Sequence, residues 1–260
     1  MFIGNRRVSR CSTRSTNSNM KKKTVFADPD LDQKQIISRY MDLPKFVDLL
    51  RTNELHLEPA VSFDDPLEGT LPERVRQGFL ETIPAEERNN KTIEELEYEN
   101  KLRTNLSCWS LGPEDNMALW KIYGGSSQSV AISTTIENML FSAFNWCDEG
   151  KILFKKVRYI NHAGKLPSGV YALDAHTFGF KHEAYSFEKE VRVVLTRPFG
   201  SLKKALRLPI DVNSRITKIT VSPESGSWFF ALVTDLAKKY TITVPVERSG
   251  LSLLIDKAIK

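Results

Sequence analysis

Cysteine is scarce in this chain. Its three residues (Cys11, Cys108 and Cys147) are too few and too far apart for a disulfide framework or a thiolate metal site. That usage fits a reducing compartment, and a cytoplasmic location is expected. No apolar run approaches the roughly 20 residues that a bilayer-spanning helix needs. The longest, WFFALV at 228–233, reads as one face of a short helix, and no membrane insertion is expected. The four histidines (His56, His162, His176 and His182) stand in no HxxxH or HExxH spacing, which excludes the common zinc-hydrolase signatures. A GxSxG elbow is missing. So is a phosphate loop, because YGGSSQS (123–129) has neither the GxGxxG nor the GxxxxGK[ST] spacing. No fixed-period repeat exists, so solenoids and propellers are excluded.

Acid is absent from residues 1–23, which carry Arg6, Arg7, Arg10, Arg14, Lys21, Lys22 and Lys23. Taking that +7 from the net charge of +5 leaves −2 for residues 24–260. The body is therefore close to neutral, without the basic stripe that a nucleic-acid groove leaves on a folded domain. The first 29 residues are rich in Ser, Thr, Asn and Arg and lack the apolar segment of a secretory signal. They are expected to be a disordered, solvated basic tail. Residues 30–260 are expected to form one domain with a substantial core.

Local patterns favour strands. IISRYM (36–41) alternates, Asp42 is placed to cap a helix LPKFVDLL (43–50) with Pro44 in its first turn, and ELHLE (54–58) returns as a strand. ERVRQGFL and KTIEELEYENKL predict helices, and LSCWS (106–110) a strand. PEDNMALWKIYGG (113–125) carries start and stop signals of a helix. QSVAIST, KILFKKVRYI, GVYALDA (169–175), EVRVVLT, KALRLPI, RITKITVS and TITVPVE predict strands, with Asp211–Ser214 as a turn. Helices are expected at TIENMLFSAFN and at 227–240. The fold class expected is α+β: a single mixed domain with a mostly antiparallel sheet and flanking helices.

Carboxylates supply the candidate chemistry. In SFEKEVRVVL (186–195), Glu188 and Glu190 share a face if the chain is extended, and Glu190 can pair with Arg192 or Arg39. In FDDPLEG (63–69), Asp64 and Asp65 build an Asx-turn or helix cap by default. Alternatively they join Glu68 in a Mg²⁺-holding cluster. Together with Glu149-x-Lys151 before a strand, Asp64 and Asp65 define one alternative, a metal-dependent nuclease. A non-catalytic binding or regulatory module is the other. Cys108, before a tryptophan in a strand, is expected to be an inert small core residue.

Four blocks then resemble a known family. SRYMDLPKFVDLL, LHLEPAVSFDDPLEG, SCWSLGPEDNMALWKIYGG followed by VAIST, and SFEKEVRVVL occur in the order seen in a widespread, mostly bacterial family of unknown function, over roughly residues 36–250. An Arg on an early strand, Ser/Thr ahead of an aromatic helix, and a late Glu-x-Glu are also similar to the ADP-ribosyltransferase fold, including its DNA-modifying toxin branch. The resemblance implies NAD as co-substrate, no metal, a nucleic-acid or protein acceptor, and a role in toxin or antiphage biology. It implies that Glu190 stabilises the ribosyl cation while Glu188 orients the nucleophile or takes its proton. Arg39 would grip the pyrophosphate. Trp109, Trp120 and Tyr123 would offer flat surfaces, and Ser107, Ser110 and Ser133 hydroxyls. It further implies that Arg39 and Glu190 face one cavity from opposite walls. The chain departs from the arginine-modifying enzymes in having Ser133-Thr134-Thr135 where those carry Ser-Thr-Ser.

Overall fold

The chain joins the sheet at Thr24. The computed structural model describes residues 24–70, 72, 84, 86, 91–112, 115–125, 127–146, 150–162, 177–198 and 205–252. β1 (Thr24–Ala27) pairs with Lys151–Phe154, and Asp28 N–H bonds Phe154 O, so a strand lies inside the stretch expected to be tail. Residues 1–23 lie outside the described residues. β2 (Ile36–Asp42) buries Ile37 and Met41 on one face. Asp42 ends it and caps α1 (Leu43–Thr52), its carboxylate accepting from Lys45 N–H at 2.9 Å. Phe46, Leu49 and Leu50 form the buried side of α1, Asn53 closes it in the left-handed region, and β3 (Glu54–Pro59) returns.

The remaining strands are β4 (Thr104–Leu111), β5 (Ser129–Thr135), β6 (Lys151–Lys156), β7 (Arg158–Ile160), β8 (Phe180–His182), β9 (Glu190–Thr196), β10 (Leu206–Pro209), β11 (Lys218–Val221) and β12 (Val246–Arg248). The helices after α1 are α2 (Ile93–Leu102), α3 (Met117–Leu119, widening into a π turn at Trp120–Gly124), α4 (Ile136–Asn145), α5 (Val212–Arg215) and α6 (Ser227–Lys239). The main sheet runs β1-β6-β9-β4-β2-β5-β11-β12 and is antiparallel except at β1–β6 and β11–β12. The fold is therefore mixed α and β, with a mostly antiparallel sheet and flanking helices. The largest apolar cluster joins one sheet face, through Ile37, Trp109, Ile132, Val191 and Val193, to Phe46 of α1, Met139 of α4 and Phe229 of α6.

The sheet forks at β4. The end of β4 pairs with β2 (Ile37 with Leu111, Ser38 with Ser110), whereas its start pairs with β3 (Glu58 with Leu106, Pro59 with Asn105). Between these two ladders β2 and β3 part, because α1 connects them and packs its apolar side beneath.

Several local expectations change. The helix expected at 113–125 shortens, because Asn116 caps Ala118 and Leu119 while Asp115 is held sideways by Trp120, Ser249 and Gly250. The Asp211–Ser214 turn is a helical turn, α5, capped by Asp211. KILFKKVRYI breaks at Val157, whose N–H bonds Glu190 O. Of TITVPVE, only Val246 and Glu247 pair, in β12. ERVRQGFL (73–80) and GVYALDA lie outside the described residues.

Candidate active site

The fork encloses a cavity of about 400 Å³. Of the nine residues singled out from sequence, Arg39, Trp109, Ser110, Tyr123, Glu188 and Glu190 line it. Three do not. Ser107 sits just behind the wall, its Oγ accepting from Arg39 Nη1 at 2.9 Å and from Trp109 Nε1 at 3.0 Å. Trp120 packs edge-on against Tyr40 in a small core with Leu119 and Ala131, and its Nε1 donates to Asp115. Ser133 is buried at 2.9 Å from Ser38 Oγ. Helical spacing put Trp120 inside, as burial habits favour for large apolar residues.

Register decides how Arg39 and Glu190 meet the cavity. Ser38 stands opposite Ser110, and Ser110 opposite Glu190, so these three share a face. Arg39, one residue on, leaves the other face with Trp109 and Ile132. The expected facing walls are thus corrected. The two groups line one cavity from opposite sides of the sheet, and the fork joins those sides. Arg39 is half-buried and donates from Nη1 to His56 O (3.0 Å) on β3 and to Ser107 on β4, stapling the open fork. Burial lowers its guanidinium from the usual range, opposed by Cys108 and Glu58. Among the described residues no carboxylate forms an ion pair with it.

On the other face the carboxylates sit in a buried charge network. Glu188 and Glu190 do not lie on one extended strand. Glu188 ends a 3₁₀ turn (Glu183–Glu188), Lys189 takes the left-handed conformation (φ 46°), and Glu190 opens β9. The reversal still brings both carboxylates to Lys181 Nζ, at 2.6 Å from Glu188 and 3.6 Å from Glu190. Lys181 stacks 4.6 Å from the Tyr185 ring. Tyr123 Oη donates to the other oxygen of Glu188 at 2.5 Å. The turn is fixed by Ser110 Oγ on Glu188 O (2.7 Å), by Leu111 N–H on Lys189 O (2.8 Å) and by Tyr159 Oη accepting from Glu190 N–H (2.8 Å).

Arg192 organises the rest. It is 0% exposed, and all five of its N–H donors are used. Nε and Nη2 hold Glu190, Nη1 and Nη2 hold Glu68, and Nη1 also reaches Phe178 O. With every group ionised, the three carboxylates Glu68, Glu188 and Glu190 outnumber Lys181 and Arg192 by one charge. The two cavity carboxylates separate in acidity. Burial raises Glu190, but Arg192 and Lys181 outweigh it and hold Glu190 below the ordinary carboxylate range. Glu188 is raised by burial, against the pull of Lys181 and Tyr123. Cys108 lines the same wall, its thiol pushed well up by burial and by Glu190, which leaves it unreactive.

The described members of the nuclease constellation, Asp64, Asp65, Glu68 and Lys151, have other partners or face outward. Asp64 is exposed, Asp65 Oδ1 accepts from Leu67 N–H (2.9 Å) in an Asx-turn, and Glu68 is bound by Arg192. Lys151 is exposed at the start of β6 with its Nζ over Phe26, and Glu149 lies outside the described residues. Among the described residues, no cluster of three or more His, Cys, Asp and Glu side chains could hold a metal ion, and no helix is long and apolar enough to cross a membrane.

Sequence reasoning missed Lys181 and the role of Glu68. Lys181 sits in no motif, and the Glu68–Arg192 pair spans 124 positions. The i, i+2 spacing of Glu190 and Arg192 was the one local signal of the network. The chain matches no protein-family model, no curated protein and no solved structure. Its class therefore rests on its own geometry: a mixed α/β protein whose forked antiparallel sheet encloses a cavity walled by a buried carboxylate–cation network.

Proposed function

We propose that the protein transfers ADP-ribose from NAD, breaking the nicotinamide–ribose bond in the forked-sheet cavity. The carrying observation is that one cavity is lined by Arg39, whose guanidinium forms no ion pair with a carboxylate among the described residues, and by Glu188 and Glu190, which share a buried network of three carboxylates and two cations. NAD has that polarity, with an anionic pyrophosphate and a cationic nicotinamide ribosyl end. Arg39 can spread its remaining N–H groups toward phosphate, reaching the ligand through the fork. The transition state is a ribosyl oxocarbenium ion, which an ionised carboxylate stabilises electrostatically.

The acidities of Glu188 and Glu190 support a division of labour. Two carboxylates whose environments push them apart take different roles in general acid–base chemistry. Glu190, held ionised by Arg192 and Lys181, is the electrostatic stabiliser. Glu188, raised by burial and so the stronger base of the two, is the proton acceptor for the incoming nucleophile. The acceptor in this reading is a nucleic acid or a protein, and the resemblance to the DNA-modifying toxin branch is what supports a toxin or antiphage role.

The test is label transfer and nicotinamide release from NAD by the purified full chain. Glu190→Gln is expected to lower kcat about 10²- to 10³-fold, the range seen when one transition-state electrostatic partner is removed. Arg39→Lys is expected to raise KM for NAD. Retained turnover in Glu190→Gln overturns the stabilising role of Glu190, and no nicotinamide release by the wild type with either acceptor class overturns the transferase reading in favour of a binding module.

A further inference from the structure

Beyond Leu119 the helix widens into the π turn Trp120–Gly124. Single π turns are rare and are frequent at functional sites. This one is held on several sides. Asn116 caps α3 and donates from Nδ2 to Phe187 O at 3.4 Å, next to Glu188. Asp115 ties Trp120 to Ser249 and Gly250. Gly124 lies so close to β5 that a Cβ there would stand 2.5 Å from Ser129 Oγ.

The widening has a consequence for side-chain direction. In an α-helix, residues three apart share a face. Here Trp120 is 2% exposed in the core, whereas Tyr123 is 44% exposed, lines the cavity and reaches Glu188. The π turn is what separates them. Glu188 Oε1 takes the Tyr123 hydroxyl and Oε2 takes the Lys181 ammonium, so both oxygens are fixed from opposite ends.

We propose that Tyr123 is a positioning residue whose hydroxyl, presented by the π turn, holds the Glu188 carboxylate at the cavity wall for proton transfer. The proposal rests on the transferase reading above. In that reaction the acceptor atom bonds to the ribose anomeric carbon as the bond to nicotinamide breaks. Its electron pair leaves on the nicotinamide nitrogen, now neutral, and the acceptor's proton passes to Glu188. Tyr123 neither gains nor loses a proton. Burial and the neighbouring Glu188 push its hydroxyl above the usual range, which keeps it a donor throughout.

Tyr123→Phe keeps the ring and removes the donor. Two measurements on the full chain decide the matter. The first is an NMR titration of glutamate side-chain carboxyls, with Glu188→Gln identifying the Glu188 signal. Because the lost bond favoured the ionised form, the Glu188 midpoint is expected to move to higher pH in Tyr123→Phe. An unchanged midpoint overturns the proposal, whatever the activity. The second is the kinetic profile of NAD turnover. Tyr123→Phe is expected to lower kcat about tenfold with KM for NAD nearly unchanged, and to shift the acid limb of the profile upward. A rise in KM with kcat and the acid limb unmoved overturns positioning and makes Tyr123 a binding surface. A wild type without turnover fells the transferase reading instead, and the titration still reports the Tyr123–Glu188 contact by itself.

Discussion

Replacing Arg192 by lysine keeps the positive charge and removes the planar fork, so it isolates what the five donors contribute. In the wild type those donors make five hydrogen bonds of 2.6–3.0 Å, four of them to the carboxylates of Glu68 and Glu190. Lysine carries three donors on one nitrogen. At least two bonds are therefore lost, and bonds to charged partners are worth about 1.5–3 kcal/mol each. The expected destabilisation of Arg192→Lys is about 3–6 kcal/mol, a large share of the roughly 5–15 kcal/mol by which domains are stable. Urea unfolding at pH 7, followed by tryptophan fluorescence and extrapolated linearly, measures it. Arg51→Lys is the control. Arg51 is exposed and pairs with Asp48 on the surface of α1, so its change should stay within about 0.5 kcal/mol. A loss below about 1 kcal/mol for Arg192→Lys refutes the reasoning, because the carboxylates would then be satisfied without the fork. The figure concerns breaking the network, since replacing a whole buried ion cluster by apolar groups is often neutral.

Two further outcomes follow from the same region. Glu190 is held below its ordinary value of 4.5, so its contribution to stability is fully present above that value and is lost as pH falls through it toward the depressed one. The stability advantage of wild type over Glu190→Gln should therefore be constant from pH 7 to about pH 5.5 and shrink below about pH 4.5, read by denaturant unfolding; a gap that widens on acidification contradicts the assignment. Gly124→Ala forces its methyl against Ser129 and should cost about 1–3 kcal/mol, seen as a lowered melting temperature. An unchanged melting temperature would show that the π turn gives way without strain.

The network also explains why a polar cluster is tolerated next to the core. Glu188 and Glu190 are 3% and 5% exposed, yet each carboxylate oxygen has a hydrogen-bonding partner. Burying such groups without partners would cost several kcal/mol apiece. The cavity thus keeps two carboxylates poised beside an apolar wall formed by residues such as Leu106 and Leu119.

What the sequence determined by itself is local. Asp42 with Pro44 defines the start of α1, the alternation in IISRYM and EVRVVLT defines β2 and β9, and the excess of strands over helices defines the mixed, mostly antiparallel class. Each signal acts over a few residues, where period and capping chemistry are readable. The spacing of Glu190 and Arg192 likewise announced a shared face, and they pair. Only the tertiary structure decided the fork, because it depends on which ends of β4 pair with β2 and with β3. It alone set Arg39 and Glu190 on opposite faces of the sheet while both line one cavity, since a face follows from register between strands far apart in the chain. Lys181 joined the carboxylates through the left-handed Lys189, which cancelled the i, i+2 logic at Glu188. Periodicity reports the path of a strand but not its neighbours, and the candidate site is made of neighbours.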